Sequence, residues 1–87
     1  MHYVYVLYSP DADKCYYGCT KDLNRRVSEH QAGQNTSTAQ AADWQLVYYE
    51  AYKSNQDAKD RERKLKQYGS SRGHLKARIS DSIDQLK

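Results

Sequence analysis

The sequence is poor in the residues that mark several classes of protein. It contains no phenylalanine, one proline and two cysteines among its 87 residues. Two cysteines do not build a disulfide framework or a four-ligand zinc site, and free thiols suit a reducing compartment, so we expect a cytoplasmic protein. No apolar run is long enough to cross a membrane, and no secretory signal is evident. The length predicts one domain, residues 1–87.

Tyrosine and basic residues are abundant instead. Nine of the ten aromatic residues are tyrosines, and the net charge is +3. A core built on tyrosine leaves hydroxyl groups at its edges, which suits a polar cleft. Between residues 59 and 78, lysines and arginines are interrupted by only two acidic residues, Asp60 and Glu62. This run is interpreted either as a solvated helical face or as a surface that follows phosphates.

The first half of the chain predicts a hairpin followed by a helix. Residues Tyr3 to Tyr8 are apolar on both faces and indicate a central strand, and Cys15 to Cys19 indicate its hairpin partner. A helix is expected from about residue 21 to residue 31, capped by Thr20 and ending near Gly33. Residues 33–43 are small and polar, which predicts a surface loop.

The second half predicts one strand and two helices. Trp44 to Tyr52 is expected to form the third strand, and Ser54 begins a capping box for a helix over residues 55–68. Gly69 is predicted to stop that helix, and residues 70–73 to break the pattern. An apolar stripe ending at Leu86 marks a last helix. The fold class is therefore α+β: a small, mostly antiparallel three-stranded sheet flanked by helices, in the order ββαβαα.

Three polar residues fall at or beside positions that the helical pattern buries. Arg26 and His30 lie four residues apart on one face of the first helix. Glu62 falls between Ala58 and Leu65, which define the buried stripe of the second helix. A carboxylate facing a sheet is costly unless it is paired or binds a metal. We interpret the three as an anion-binding polar cleft, and a structural Arg26–Glu62 ion pair is the alternative.

Four segments resemble the GIY-YIG nucleases. YVYVL at 3–7 and YYG at 16–18 are similar to the paired motif, GCTKDLNRRVSEH at 18–30 to the continuation into the first helix, and DAKDRERKLK at 57–66 to the metal-binding helix. The resemblance covers most of the chain, and the nearest subgroup is that of small stand-alone bacterial proteins similar to the nuclease domain of the UvrC repair subunit. Tyr3 replaces the first glycine of the motif and Tyr17 its middle isoleucine. No asparagine follows Gly69, where many relatives carry one.

The resemblance implies a metal-dependent endonuclease that hydrolyses phosphodiester bonds in DNA, structure-specific and linked to repair or recombination, with RNA as an open second substrate and no membrane partner. It implies Tyr5, Tyr16, Arg26 and His30 as catalytic residues and Glu62 as the ligand of Mg²⁺ or Mn²⁺. The polar loop and the basic residues are expected to contact nucleic acid. These residues are Arg25, Thr36, Ser37, Thr38, Lys64, Lys66 and Arg72.

Several roles stay open on the sequence. Tyr5 or Tyr16 could take the proton from the attacking water; we prefer Tyr16 as the base, with Tyr5 orienting the water and His30 relaying the proton or binding phosphate. Three other functions remain as alternatives. They are a nucleic-acid-binding module without catalysis, a domain that binds an acidic protein, and a thiol enzyme that uses Cys15 or Cys19 with His30.

Overall fold

A computed structural model describes residues 1–87 as a three-stranded antiparallel sheet with four α-helices. The elements are β1 (His2–Ser9), β2 (Lys14–Thr20), α1 (Leu23–Gln31), a 3₁₀ turn (Thr36–Thr38), β3 (Gln45–Tyr52), α2 (Asn55–Gln67), α3 (Gly69–Arg78) and α4 (Ser80–Asp84). The predicted α+β class and antiparallel sheet are confirmed. The predicted last helix differs, because it is divided into α3 and α4 at Ile79.

The strand order is β2-β1-β3, so β1 is the central strand, as predicted. Residues Val4 to Ser9 are all buried, because neighbouring strands and helices cover both faces of β1. Tyr5 pairs with Gly18 of β2 and with Tyr49 of β3. An irregularity between Val6 and Leu7 shifts the register with β3. Both β2 and β3 are edge strands, and β2 carries Tyr16, one of the predicted site residues.

Side chains alternate between two core layers, as they must along a strand. On one face, Val4, Val6 and Tyr8 pack with Leu65 of α2 and Leu75 of α3. The other face carries a smaller cluster that packs against α1. Its buried members are Tyr5, Leu7, Ala41 and Trp44, with Leu23 and Val27 of α1 packed against them. The two faces therefore bring α1 and α2 to opposite sides of the sheet.

The beginning of α1 differs from the prediction by two residues. Asp22, not Thr20, is the N-cap: its carboxylate accepts a hydrogen bond from the backbone N–H of Arg25 at 3.2 Å. The hydroxyl of Thr20 accepts from the N–H of Asp22 at 3.1 Å, which fixes the turn before the helix. Gly33 follows the helix at φ 76°, a left-handed conformation that favours glycine, so the predicted end is confirmed.

The junction between α2 and α3 corrects a second expectation. Ser54 caps α2 and the helix ends just before Gly69, both as predicted, but Gly69 also begins a new helix and residues 70–73 lie within it. The break falls at Tyr68, whose backbone is extended. Leu75 anchors α3 in the core, and the Arg72 guanidinium donates to two carbonyls near the end of α2. These tertiary contacts outweigh the weak helix propensity of glycine.

Candidate active site

A line of hydrogen bonds joins β1, α1 and the 3₁₀ turn. Tyr5 Oη lies 2.8 Å from His30 Nε2, and His30 Nδ1 lies 2.9 Å from Thr38 Oγ1. The Thr38 hydroxyl in turn donates to the carbonyl of Asn35 at 3.3 Å. Tyr5, His30 and Thr38 are at most 1% exposed. Every polar atom of this line therefore has a partner within the protein, which is what burial requires.

The direction of these bonds assigns the protonation of His30. Burial, and then the positive charge of Arg26, lower the pKa of His30, so the ring is neutral at neutral pH. The Thr38 hydroxyl already gives its proton to Asn35, so its oxygen accepts from His30 Nδ1–H. His30 Nε2 then accepts the proton of the Tyr5 hydroxyl. Burial also raises the pKa of Tyr5 to about 12, with Arg26 acting in the opposite direction.

Tyr16 lies beside this line on the edge strand β2. Its ring centroid is 4.7 Å from that of His30 and 6.3 Å from that of Tyr5. The ammonium of Lys66, from α2, lies 5.8 Å from the centroid of the Tyr16 ring. Tyr16 is half-buried, whereas Tyr5 is fully buried. Because β2 is the edge of the sheet, α1 and α2 can both reach Tyr16 from opposite faces.

Gly18 makes room for Tyr5. A Cβ atom at position 18 would lie 2.5 Å from both Cζ and Oη of Tyr5. Such a distance is far inside van der Waals contact, so the Tyr5 ring occupies the space that any other residue at 18 would need. The YYG segment therefore contributes a tyrosine to the site at position 16 and a gap for Tyr5 at position 18.

Arg26 opens onto a groove at the start of α1. Its Nη1 lies 3.1 Å from Oε1 of Glu29, and Arg25 Nε lies 3.2 Å from Oε2 of the same carboxylate. The groove has a volume of about 370 Å³ and is lined by Cys19, Thr20, Lys21, Asp22, Arg25, Arg26 and Glu29. Glu29 was not among the predicted site residues. Its spacing of three and four residues from the two arginines was the signal that could have identified it.

Glu62 forms an ion pair with Lys66, not with Arg26. Glu62 Oε2 lies 3.1 Å from Lys66 Nζ one turn along α2, and the Glu62 side chain is 23% exposed. The structural Arg26–Glu62 pair considered above is therefore absent. No group of three or more His, Cys, Asp or Glu side chains is arranged to hold a metal ion. Glu62 thus stands as a single, partly exposed carboxylate on the α2 side of the site.

The predicted nucleic-acid contacts separate into two groups. Thr36, Ser37 and Lys64 are exposed, and so are Arg25 and Lys66 beside the site. Thr38 is fully buried, because it accepts from His30 and its carbonyl accepts from Trp44 Nε1 at 2.7 Å. Arg72 is half-buried, and its Nη1 donates to the carbonyls of Leu65 and Lys66 at 3.0 and 2.7 Å. In this structure Thr38 orients His30, and Arg72 closes the end of α2.

A second polar cluster lies on the opposite face, between β3 and α2. The Glu50 carboxylate accepts bidentate hydrogen bonds from the Arg61 guanidinium and further hydrogen bonds from the hydroxyls of Tyr48 and Tyr52. Burial raises the pKa of Glu50, but these donors lower it more, and the net shift is downward. Sequence reasoning counted Arg61 only as part of the basic run. The structure assigns it to this ion pair, which holds α2 against the sheet.

The chain belongs to the GIY-YIG catalytic domain family, which it matches over residues 1–79. A UPF0213 protein of Haloquadratum walsbyi is 34% identical over 85 residues, which cover 97% of this chain and 94% of that protein. A UPF0213 protein of Staphylococcus aureus (strain Mu3) is 37% identical over 68 residues, 77% of this chain and 82% of that protein. No solved structure matches the chain significantly.

Family membership confirms the resemblance drawn from the motif residues. The family is one of nucleases, which act on nucleic acid and generally depend on a divalent metal ion. None of the helices is long and apolar enough to cross a membrane.

Proposed function

We propose that residues 1–87 form one endonuclease domain that uses a divalent metal ion to hydrolyse phosphodiester bonds in DNA. The observation that carries this proposal is the convergence on Tyr5 of groups from three other elements, Tyr16, Arg26 and Glu62, each close enough to affect its pKa, with Lys66 joining Glu62 to Tyr16. They surround a buried Tyr5–His30 hydrogen bond whose partners are all satisfied. Such a fixed arrangement suits a reaction in which charge develops on an already anionic phosphate.

Arg26 is assigned to bind and stabilise the phosphate. It uses Nη1 for Glu29 and also interacts with the Tyr5 hydroxyl, and a guanidinium with five N–H donors keeps others for phosphate oxygens. A guanidinium can offer two parallel hydrogen bonds to one phosphate, which lysine cannot do. Arg26 lies in an open groove, and its side chain is 40% exposed. A phosphate in that groove would also lie near the exposed Arg25.

Glu62 is assigned to hold Mg²⁺ or Mn²⁺. Mg²⁺ is commonly held by one or two carboxylates together with water and substrate phosphates, so a single carboxylate fits the group. The ion pair with Lys66 is made through Oε2 of Glu62 at 3.1 Å, and Oε1 makes no hydrogen bond within the protein. The ion would supply stabilisation of the negative charge on the leaving oxygen. The donor set, one carboxylate oxygen free beside a phosphate-binding groove, is compatible with that role.

Tyr16 is assigned as the general base, with Tyr5 as the group that orients the attacking water. Tyr16 is only partly buried and lies on the edge strand beside Lys66, so an attacking water could reach it more readily than it could reach Tyr5. Tyr5 is buried, its pKa is raised to about 12, and its proton is directed to His30. Both nitrogens of His30 are engaged in the interior, which favours a proton relay over phosphate binding.

DNA is the expected substrate, with RNA as the second nucleic acid to be tested. The exposed residues Arg25, Lys64 and Lys66, together with Thr36 and Ser37 of the loop, would contact its backbone. Backbone contacts of this kind recognise the shape of a nucleic acid more than its sequence, which fits a structure-specific nuclease in repair or recombination. The two free cysteines support a reducing compartment, such as the cytoplasm.

The test is a cleavage assay on labelled single-stranded, duplex and branched DNA and on RNA, with Mg²⁺ or Mn²⁺. We expect wild-type cleavage that EDTA, Glu62→Gln and Arg26→Ala each abolish, with folding of the variants verified by circular dichroism. Asp60→Asn is the matched control, because Asp60 is an acidic residue on the same helix whose carboxylate forms no ion pair and accepts a hydrogen bond from Gln56 alone. Cleavage by Glu62→Gln at the wild-type rate would refute the assignment. Binding without cleavage in both metals would establish the catalytically silent module instead.

A further inference from the structure

Two tyrosines form an aromatic pair on the α1 face of the sheet, in which Tyr49 is exposed and Tyr3 partly buried. Tyr3, at the position where the resemblance implies a glycine, lies on β1, and Tyr49 lies on β3. Their ring centroids are 5.9 Å apart with the planes at 67°. Tyr49 is 54% exposed, which is unusual for so large an aromatic residue. The hydrogen-bond line at Tyr5 does not involve this pair, so its exposure needs a separate explanation.

Tyr49 is exposed because α1 covers only part of its sheet face. The helix packs against Leu7 and Trp44 and leaves a strip along β3 uncovered, where Leu46 and Tyr49 are exposed. The result is an open groove of about 360 Å³, lined by Tyr3, Lys21, Asp22, Leu23, Asn24, Leu46 and Tyr49. Four of these seven residues are hydrophobic, compared with one of the seven that line the groove of Arg25 and Arg26.

This aromatic groove adjoins the groove of Arg25 and Arg26. Lys21 and Asp22 line both grooves, so the connection between β2 and α1 is their shared wall. Tyr3 and Tyr5 are two residues apart on the same face of β1, which is a separation of about 7 Å along the strand. A chain whose phosphate lies at Arg26 therefore has the aromatic pair within reach of a neighbouring nucleotide.

The chemistry of the aromatic groove matches a nucleobase. Exposed aromatic faces beside a positive charge are the usual platform for the unpaired bases of a single strand. Lys21 is exposed and supplies the positive charge. The one carboxylate in the groove, Asp22, is engaged as the N-cap of α1. The Asn24 side chain adds an amide that can hydrogen-bond a base edge.

We propose that Tyr49, with Tyr3 behind it, stacks on an unpaired base next to the phosphate that is cut. This inference rests on the proposed nuclease function and names its substrate class: nucleic acid with a single-stranded segment at the cleavage site. A base within an intact duplex is paired and stacked on its neighbours, so it cannot reach the platform without being unpaired.

The test measures binding apart from cleavage. Fluorescence anisotropy in EDTA would compare a labelled single-stranded oligonucleotide, the same strand with abasic residues, and a duplex. We expect Tyr49→Ala to weaken binding of the intact single strand by roughly 5- to 150-fold, the range for loss of one stacked base. Tyr49→Phe should bind as wild type. Tyr68→Ala is the matched control, because Tyr68 is 51% exposed but lies at the α2–α3 junction, and it should also bind as wild type.

The abasic strand and the duplex complete the design. Wild type should bind the abasic strand more weakly than the intact strand, by about the same factor as Tyr49→Ala weakens binding of the intact strand. Tyr49→Ala should bind the abasic and intact strands with equal affinity. Equal binding of the intact strand by wild type and Tyr49→Ala, or equal losses on duplex and single strand, would overturn the stacking site while leaving the nuclease proposal standing. A dimer of wild type that Tyr49→Ala dissociates, with no change in binding, would assign the groove to a second copy and overturn it as well. Wild type that binds no nucleic acid would overturn both proposals.

Discussion

Replacing Gly18 with alanine tests whether the gap for Tyr5 is essential. The new Cβ would stand 2.5 Å from Tyr5 Cζ and Oη. That is about 1 Å inside the usual carbon–carbon contact of ~3.5 Å. The ring cannot simply move aside, because it is buried among Leu7 and Trp44 and its hydroxyl is bound to His30. The substitution should therefore displace Tyr5 and break its hydrogen bond.

The expected loss of stability combines three contributions. Forcing a methyl group into a packed core costs about 1–3 kcal/mol. Loss of the Tyr5–His30 hydrogen bond costs about 1 kcal/mol. Alanine is favoured over glycine in a strand by about 0.5–1 kcal/mol, which offsets part of this. We expect the free energy of unfolding to fall by ~2 kcal/mol, measured by urea denaturation, and the melting temperature to fall by roughly 8–16 °C.

A matched substitution separates this effect from the general effect of adding a methyl group. Gly73 lies in α3, and a Cβ there would meet nothing within 4 Å. Gly73→Ala should stabilise the protein by about 0.5–1 kcal/mol, because alanine is the better helix former. Gly18→Ala should also abolish cleavage by displacing Tyr5, whereas Gly73→Ala should leave cleavage unchanged.

A double-mutant cycle identifies the cause. In a Tyr5→Ala background the obstructing ring is gone, so adding Gly18→Ala should no longer destabilise the protein and should raise the free energy of unfolding by about 0.5–1 kcal/mol. The reasoning is refuted if Gly18→Ala costs the same in both backgrounds, since the loss would then not arise from Tyr5. It is also refuted if Gly18→Ala leaves wild-type stability unchanged.

Further predictions concern groups whose environment the structure specifies. The pKa of His30 is lowered on folding, so the unfolded state binds more protons below pH ~6.5, and the free energy of unfolding should fall there by up to about 1.4 kcal/mol per pH unit. Denaturation from pH 7.5 to 5 should show this slope in wild type and a shallower one in His30→Gln; parallel slopes would contradict it. Arg72→Ala should lower stability by about 1 kcal/mol through loss of the α2 end contacts. The exposed neighbour Lys76→Ala should have little effect, and equal thermal shifts for the two would argue against the contact. Glu50→Gln should destabilise by about 1–2 kcal/mol, because its Arg61 pair is only partly exposed, and Glu62→Gln by at most ~1 kcal/mol. A larger loss of stability for Glu62→Gln than for Glu50→Gln in chemical denaturation would show that Glu62 carries the structural role.

The elements that local chemistry controls could be predicted from the sequence. Apolar residues on both faces of residues 3–8 predicted β1 as a buried central strand, and the Ser54 capping box predicted the start of α2. The positions that make up the motif, from Tyr5 to Glu62, were also identified by their order along the chain. Thr20 was predicted as the α1 cap, whereas Asp22 caps the helix: both residue types accept a hydrogen bond from a helix N-terminus, and only the turn geometry separates them.

Expectations failed where contacts distant in sequence decide the outcome. Residues 70–73 were expected to break the helical pattern, but the packing of Leu75 and the contacts of Arg72 place them in α3. Thr38 was expected at the surface with its polar neighbours. It is buried instead, because its carbonyl accepts a hydrogen bond from the Trp44 indole and the Thr38 hydroxyl accepts one from His30. Neither outcome is encoded in the composition of the segment itself.

The sequence by itself determined the residue types of the candidate site and the elements that carry them. Only the tertiary structure decided which atoms meet. Tyr5 reaches His30 across 25 residues because β1 is central and α1 lies on one face, while Tyr16 is reached by Lys66 because β2 is an edge. Propensity and capping act within a few residues of each other, whereas hydrogen bonds between elements depend on how the whole sheet is packed, and that packing is a property of the complete chain.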